Sequence, residues 1–336
     1  MGLRYSVNGV LCRGEERAID MLEYIQKLDT VLDETAIPPV MRVSQKFSGA
    51  AEEEPAKTLR IRLREEFTQN LRGKRIAVTC GSRGIDRYFE LLCTIVGFLK
   101  EKGAVPLLVP AMGSHAGATA EGQVDMLRHF GITAESVGAE MRSSMDVVEI
   151  GCTERGMPIY VDKYAHESDG ILLFNRIKPH TSFRGTYESG LIKMLVVGLG
   201  KQKGAETTHC LRYENMAGNI EDAARIMLGK LPVLGGVGTI ENGYGRLAKF
   251  AVLTKEELLS REPALLKKAF SLMPRIYLDE IDVLIVKEIG KDVSGTGMDT
   301  NTIGRYHTNA AHGGPRVTRM QSPRLLTGIS KMPRNH

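Results

Sequence analysis

Cysteine is sparse in this chain, and no two cysteines lie close together. The five, Cys12, Cys80, Cys93, Cys152 and Cys210, show no CxxC spacing, and their odd number argues against a disulfide framework. A reducing, cytoplasmic setting fits that usage. The sequence has no run of 18 or more apolar residues, nor an N-terminal basic stretch leading into an apolar one. Neither a membrane span nor a secretory leader is therefore expected. Acidic residues are missing after Asp299, whereas six basic ones follow it: Arg305, Arg316, Arg319, Arg324, Lys331 and Arg334. Setting those six aside leaves 39 basic against 40 acidic residues, so the formal charge of +5 belongs to the tail and the body is neutral. No basic stripe is interleaved with aromatics, and nucleic acid is not an expected partner. No internal repeat occurs.

What is present is a globular composition, 42% hydrophobic and 25% charged, over 336 residues. That length exceeds one ordinary core and points to two α/β domains. Residues 75–79 (RIAVT) form a β-branched run ending in a glycine-bearing turn. Tyr88, Leu91, Leu92, Ile95, Val96 and Leu99 then recur at helical spacing, with Gly103 as C-terminal cap. A second strand, 105–109, runs into PAMGSHAGAT, and a helix is predicted over 123–130 with a cap near Thr119. This strand–turn–helix alternation is that of a doubly wound, mostly parallel sheet, whose ligands sit at the carboxyl ends of the strands. Further strands are predicted at 158–161, 170–174, 233–239, 249–253 and 283–287, with helices at 219–227 and 255–271. Residues 51–70 read as a charged, solvated helix. Pro274 suggests a boundary, giving a cofactor-binding domain over 1–274, the start of an incomplete second α/β domain over 275–320, and a disordered tail over 321–336.

Four pieces carry candidate chemistry. The first is Thr79-Cys80-Gly81-Ser82-Arg83-Gly84, a strand-to-helix turn whose amides, hydroxyl and guanidinium suit a phosphate or carboxylate, or else an ordinary tight turn with a surface arginine. The second is Gly113-Ser114-His115, where a histidine at a strand's carboxyl edge suits a ligand or a general base. The third is Lys178-Pro179-His180, followed by Lys193 among Leu191, Ile192, Met194 and Leu195. A lysine in that company is costly unless it is paired, neutralised or covalently used, or snorkels to solvent from an edge strand. The fourth is His209, sixteen residues past Lys193. With no H-x3-H or cysteine partner it makes no protein-only metal site, so a metal there would draw its other ligands from a cofactor.

In order, type and spacing these residues resemble the lactate racemase family, whose cofactor is a nickel-pincer nucleotide. Ser82-Arg83 resembles that family's Thr-Arg turn at the cofactor phosphate, and Gly113-Ser114-His115 its Gly-x-His motif. The stretch from Gly156-Met157-Pro158-Ile159 to Pro179-His180 resembles its Gly-x-Pro-Ile to Pro-His stretch. The resemblance implies that Lys193 bears the cofactor covalently and that His209 supplies the protein ligand to nickel. It assigns Ser82, Arg83 and Lys178 to cofactor or anion binding, and His115 and His180 to paired acid/base roles. The implied activity is racemisation or epimerisation of a small-molecule α-hydroxyacid, with cofactor-biosynthesis enzymes as partners. Two departures bear on the substrate. The loop from Thr181 to Ile192 is longer than the family's Ala-Gly-Phe-Ser-Gly-Gly-like loop, and the family's Tyr-Gln-x-x-x-Lys-like substrate contacts are replaced by Gly295-Thr296-Gly297-Met298-Asp299 and Arg305-Tyr306-His307. The alternatives are an isomerase or oxidoreductase using the same cofactor on a larger hydroxyacid, a non-catalytic cofactor-binding protein, and a metal-free phosphate-binding enzyme.

Overall fold

Five parallel strands and one antiparallel strand build the central sheet, in the order β3-β2-β1-β6-β7-β8. They are β1 (Arg75–Cys80), β2 (Val105–Pro110), β3 (Glu140–Met141), β6 (Gly170–Arg176), β7 (Val233–Glu241) and the antiparallel β8 (Leu247–Thr254). The intervening β4 (Val147–Cys152) and β5 (Pro158–Asp162) form a separate antiparallel pair. The computed structural model describes residues 39–210, 215–290 and 293–322. Among the described residues no helix is long and apolar enough to cross a membrane.

The strands are buried on both faces, which is why they read as continuous apolar runs. Alternation still sorts their side chains between two cores. Ala77, Ile171 and Leu173 enter one, and Ile76, Val78, Cys80, Leu172 and Phe174 enter the other. Helices α1 (Pro55–Glu66), α2 (Tyr88–Glu101) and α3 (Ala120–His129) serve the second core. Beyond them come α4 (Leu191–Lys193), a π-turn at Met194–Gly198, α5 (Lys201–Cys210), α6 (Met216–Lys230) and α7 (Leu258–Leu272), which serve the first. The predicted caps are present: Gly103 has φ +72°, and Thr119 Oγ1 accepts from the Gly122 amide at 3.0 Å.

One expectation changes and one open alternative closes. The helix expected to be solvated buries Leu59 and Leu63 completely, because its charges and leucines fall on opposite sides and the leucines pack into the core beneath α2. Lys193 stands on a short helix running into a π-turn and not on an edge strand. After Pro274 the chain adds β9 (Glu280–Ile285) and β10 (Arg316–Gln321), a parallel pair separate from the main sheet. Gln321 is thus a strand residue opposite Ile285, while residues 323–336 lie outside the described ones. The described residues from 45 onward form one unit.

The sheet order places the topological switch between β1 and β6. From β1 the chain steps outward to β2, and from β6 it steps the other way to β7. Loops leaving the carboxyl ends of those two central strands diverge there and open a crevice.

Candidate active site

Each motif leaves the carboxyl end of a strand at this crevice. Ser82-Arg83 follows β1, Gly113–His115 follows β2 and Lys178–His180 follows β6. Ser82 Oγ and His115 Nδ1 are hydrogen-bonded to each other, joining the first two turns. The third is fixed through the backbone: Lys178 and Ser189 exchange amide-to-carbonyl bonds of 2.8 and 3.2 Å, and the His180 amide donates to Glu188 Oε2 at 2.7 Å.

Lys193 is placed by contacts at both ends of its segment. Glu262 on α7 is 1% exposed, and its Oε2 accepts from the Leu191 and Ile192 amides at 3.0 and 3.1 Å. These are N–H groups that the start of α4 leaves without helical partners. Burial pushes the Glu262 carboxyl up to about 7, against the lowering effect of the two amides. Asn175 donates to the Gly190 carbonyl at 2.9 Å, and a side chain at Gly190 would collide with the Glu262 carboxylate. Beyond the π-turn, the Gly113 amide donates to the Gly198 carbonyl at 3.2 Å, tying the Lys193 segment to the His115 turn.

The resulting electrostatics are lopsided. Lys178 and Lys193 are half-buried, and neither ammonium has a hydrogen-bond or ion-pair partner among the described residues. The Lys193 ammonium lies 5.3 Å from the centroid of the buried Phe183 ring. Burial first, then the Lys178 charge, lowers Lys193 to about 7, with Arg83 adding to the effect and Glu188 opposing it. Burial and Arg176 bring Lys178 to about 8, with Asp299 opposing. Arg83 rests against Gly295, where a side chain would strike its guanidinium. His115 is held down to about 4 by desolvation, then by Arg83 and Lys193. Its ring also meets solvent at the rim, which moderates that effect; the direction, a neutral imidazole at pH 7, decides its chemistry.

His180 is tied to the same cluster by Phe183, whose ring centroid lies 4.4 Å from that of the imidazole. Its Nδ1 accepts from the Ser182 amide at 3.1 Å, so in the neutral ring the proton belongs on Nε2. The structure therefore brings together Ser82, Arg83, His115, Lys178 and Lys193, with His180 beside them. His209 is on α5, and its side chain lies outside the described residues.

Residues 76–219 match the model of the lactate racemase N-terminal domain. This stretch is similar to the lactate racemase N-terminal domain over somewhat less than half of the chain. The lactate racemase apoprotein from Thermoanaerobacterium thermosaccharolyticum matches structurally with a TM-score of 0.54 at 15% identity, over 74% of this chain and 63% of that one. At that identity the likeness speaks for the fold, and this chain spans less than two thirds of that relative's length. No curated protein matches. The match ends at residue 219, short of several groups that hold the site.

Glu262, Phe183, Asn175 and Ser182 were not candidates from sequence. For Glu262 a signal exists, because Leu258, Glu262, Leu265, Leu266 and Ala269 share one buried helical face and a carboxylate there is out of place. Arg184 is another such residue. It donates to the His180 carbonyl at 2.7 Å, to Tyr306 Oη at 2.9 Å and to the His312 carbonyl at 3.0 Å, and it also bonds Asn301. The longer loop thereby fastens residues 301–312 against the His180 turn.

Proposed function

We propose that this protein racemises or epimerises an α-hydroxyacid using a nickel-pincer nucleotide attached at Lys193. The observation that carries this reading is the pair of ammoniums, Lys178 and Lys193, that have no hydrogen-bond or ion-pair partner among the described residues and lie beside Arg83 and His115 at the switch point of the sheet. Such an excess of partly desolvated positive charge is costly by itself and suits an anionic ligand. The residues fit the group. An amine lowered to about 7 is substantially uncharged at neutral pH and so nucleophilic. Arg83 and Lys178 suit the phosphate and the substrate carboxylate. His209 is the residue we assign to the metal.

When bound, the nucleotide supplies an acceptor for the Cα hydride, avoiding a carbanion beside a carboxylate. The chain's own groups manage the hydroxyl proton. His115, neutral and bonded through Nδ1 to Ser82, takes that proton at Nε2 when its Nδ1 proton is donated to Ser82. His180, whose Nδ1 is occupied by the Ser182 amide, presents an Nε2 proton to the substrate oxygen. One ring thus rests as acceptor and the other as donor, the complementary states needed for loss and return of a proton at a planar keto acid.

The test is to co-express the chain with cofactor-biosynthesis enzymes, confirm nickel, and follow a panel of α-hydroxyacids by chiral chromatography. Interconversion of the two configurations is expected. His115→Ala and His180→Ala should each lower it by about a hundredfold to ten-thousandfold while circular dichroism stays unchanged. A nickel-loaded protein that interconverts none of them contradicts the reading.

A further inference from the structure

Helix α3 buries two side chains, Gln123 and Leu127. The leucine is ordinary packing, but a completely buried glutamine is costly unless both ends of its amide are bonded. Both are. Its Nε2 donates to the Gly113 carbonyl at 3.0 Å, and its Oε1 accepts from the Lys201 ammonium at 3.1 Å. Thr119, four residues earlier, caps the helix and fixes where Gln123 stands.

Lys201 is no less constrained. It opens α5, the helix that carries His209, and its φ of +55° lies in the left-handed region that residues with side chains enter at a cost. Its ammonium meets Asp162 Oδ2 at 3.2 Å, Gln123 Oε1, and the Pro110 carbonyl at the end of β2. Asp162 is aligned in turn by the Ala165 amide, which donates to Oδ1 at 2.9 Å. An ammonium only donates, so the oxygen of Gln123 faces Lys201 and the amide nitrogen is left for Gly113. Lys201 thereby selects which end of Gln123 meets the turn.

That turn is otherwise held through its N–H groups: the Ala111 amide donates to the Cys80 carbonyl at 2.8 Å and the Gly113 amide to the Gly198 carbonyl at 3.2 Å. The Gly113 carbonyl belongs to the peptide that leads into Ser114 and His115, and Gln123 is the side chain that holds it. Gly113 has φ +57°, a conformation glycine adopts freely and therefore leaves freely as well.

We infer that Asp162, Lys201 and Gln123 are positioning residues for His115: the ion pair orients Gln123, and Gln123 fixes the turn that aims the imidazole at Ser82 and at the substrate hydroxyl. The catalytic consequence rests on the proposed function, whereas the placement of the ring does not. Each of the three acts through the turn.

The experiment reads the ring and the rate separately. Histidine ring nitrogens are recorded by NMR on 15N-labelled protein without cofactor, with His115→Ala assigning the His115 signals. Steady-state kinetics follow on nickel-loaded protein with the hydroxyacid that the wild type interconverts. Gln123→Met keeps the volume and removes both bonds. Lys201→Met is combined with Asp162→Asn, so that no carboxylate is stranded, and leaves Gln123 free to turn over. Both proteins should keep the wild-type circular dichroism, shift the His115 Nδ1 resonance, and lose about tenfold to a hundredfold in kcat with KM within twofold. Combining all three substitutions should cost no more than Gln123→Met alone, because Lys201 acts through Gln123. Unmoved His115 signals, or a wild-type kcat in the loaded variants, leave the network a role in stability alone and overturn the inference, as does a triple variant whose losses multiply. Should either protein fail to fold, the other decides. If the loaded wild type interconverts no hydroxyacid, the proposed function fails and the NMR arm decides: a displaced His115 resonance supports the positioning role, and an unmoved one overturns it.

Discussion

Two lysines eight positions apart show opposite solutions to the same physical problem. Lys201 is completely buried and fully answered: its ammonium forms an ion pair with Asp162 at 3.2 Å, bonds Gln123 Oε1 at 3.1 Å and bonds the Pro110 carbonyl. Gln123 in turn donates to the Gly113 carbonyl at 3.0 Å, so this network braces the turn that carries His115. Lys193, half-buried, has among the described residues only the face of Phe183 for its ammonium. A desolvated charge with every bond made is a structural brace. One with none among the described residues is what the proposed anionic ligand would answer.

The comparison breaks most visibly on mutation. Lys201→Met strands the buried Asp162 carboxylate and should destabilise the protein by about 3 to 5 kcal/mol. Lys193→Met removes an ammonium whose burial Glu188 only partly offsets, and should leave the protein at least as stable as the wild type. Urea unfolding at pH 7 measures both, and equal losses in the two variants would erase the distinction.

A smaller effect sharpens it through Glu262, the carboxylate that holds the Lys193 helix. Its folded value of about 7 lies above the ordinary 4.5. The folded state therefore holds its proton more tightly, and stability from this group is full below about pH 4.5 and declines as pH rises toward 7. Glu262→Gln keeps an oxygen for the two amides without the charge. It should be more stable than wild type above pH 7, by about 3 kcal/mol at most, and lack that decline. A Gln variant that retains the wild-type pH dependence assigns the decline elsewhere.

The third effect is on rate. His115 is depressed toward 4 by desolvation and then by Arg83 and Lys193, so the base form survives well below the usual histidine range. The acid limb of kcat/KM in loaded enzyme should fall below pH 6, and Arg83→Gln should move it upward. A limb at 6.5 that ignores Arg83 removes His115 from this electrostatic cluster.

Much of this was legible because periodicity and turn chemistry are local. The runs at 75–79, 105–109 and 170–174 became β1, β2 and β6, and strand order then brought their following turns together. The supports were not legible because they come from distant segments. Glu262 reaches Leu191 across 71 residues, Lys201 reaches Pro110 across 91, and Arg184 reaches Tyr306 across 122. Glu262 sits in a stretch whose many charges, read as composition, look solvated. Only its register with Leu258, Leu265 and Leu266 marks it as inward-facing. The helix at 55–66 was misjudged similarly, since two leucines a helical turn apart bury fully within a charged sequence.

The claim that Lys193, with no hydrogen-bond or ion-pair partner among the described residues, carries the cofactor is tested most directly by intact mass. The wild-type chain and Lys193→Ala are each purified after co-expression with the cofactor-making enzymes, alongside Lys178→Ala as a control that retains the attachment amine. The wild type and Lys178→Ala should show a single adduct of nucleotide mass with accompanying nickel, and Lys193→Ala should show the bare chain. An adduct of the same mass on Lys193→Ala, or none on the wild type, contradicts the account.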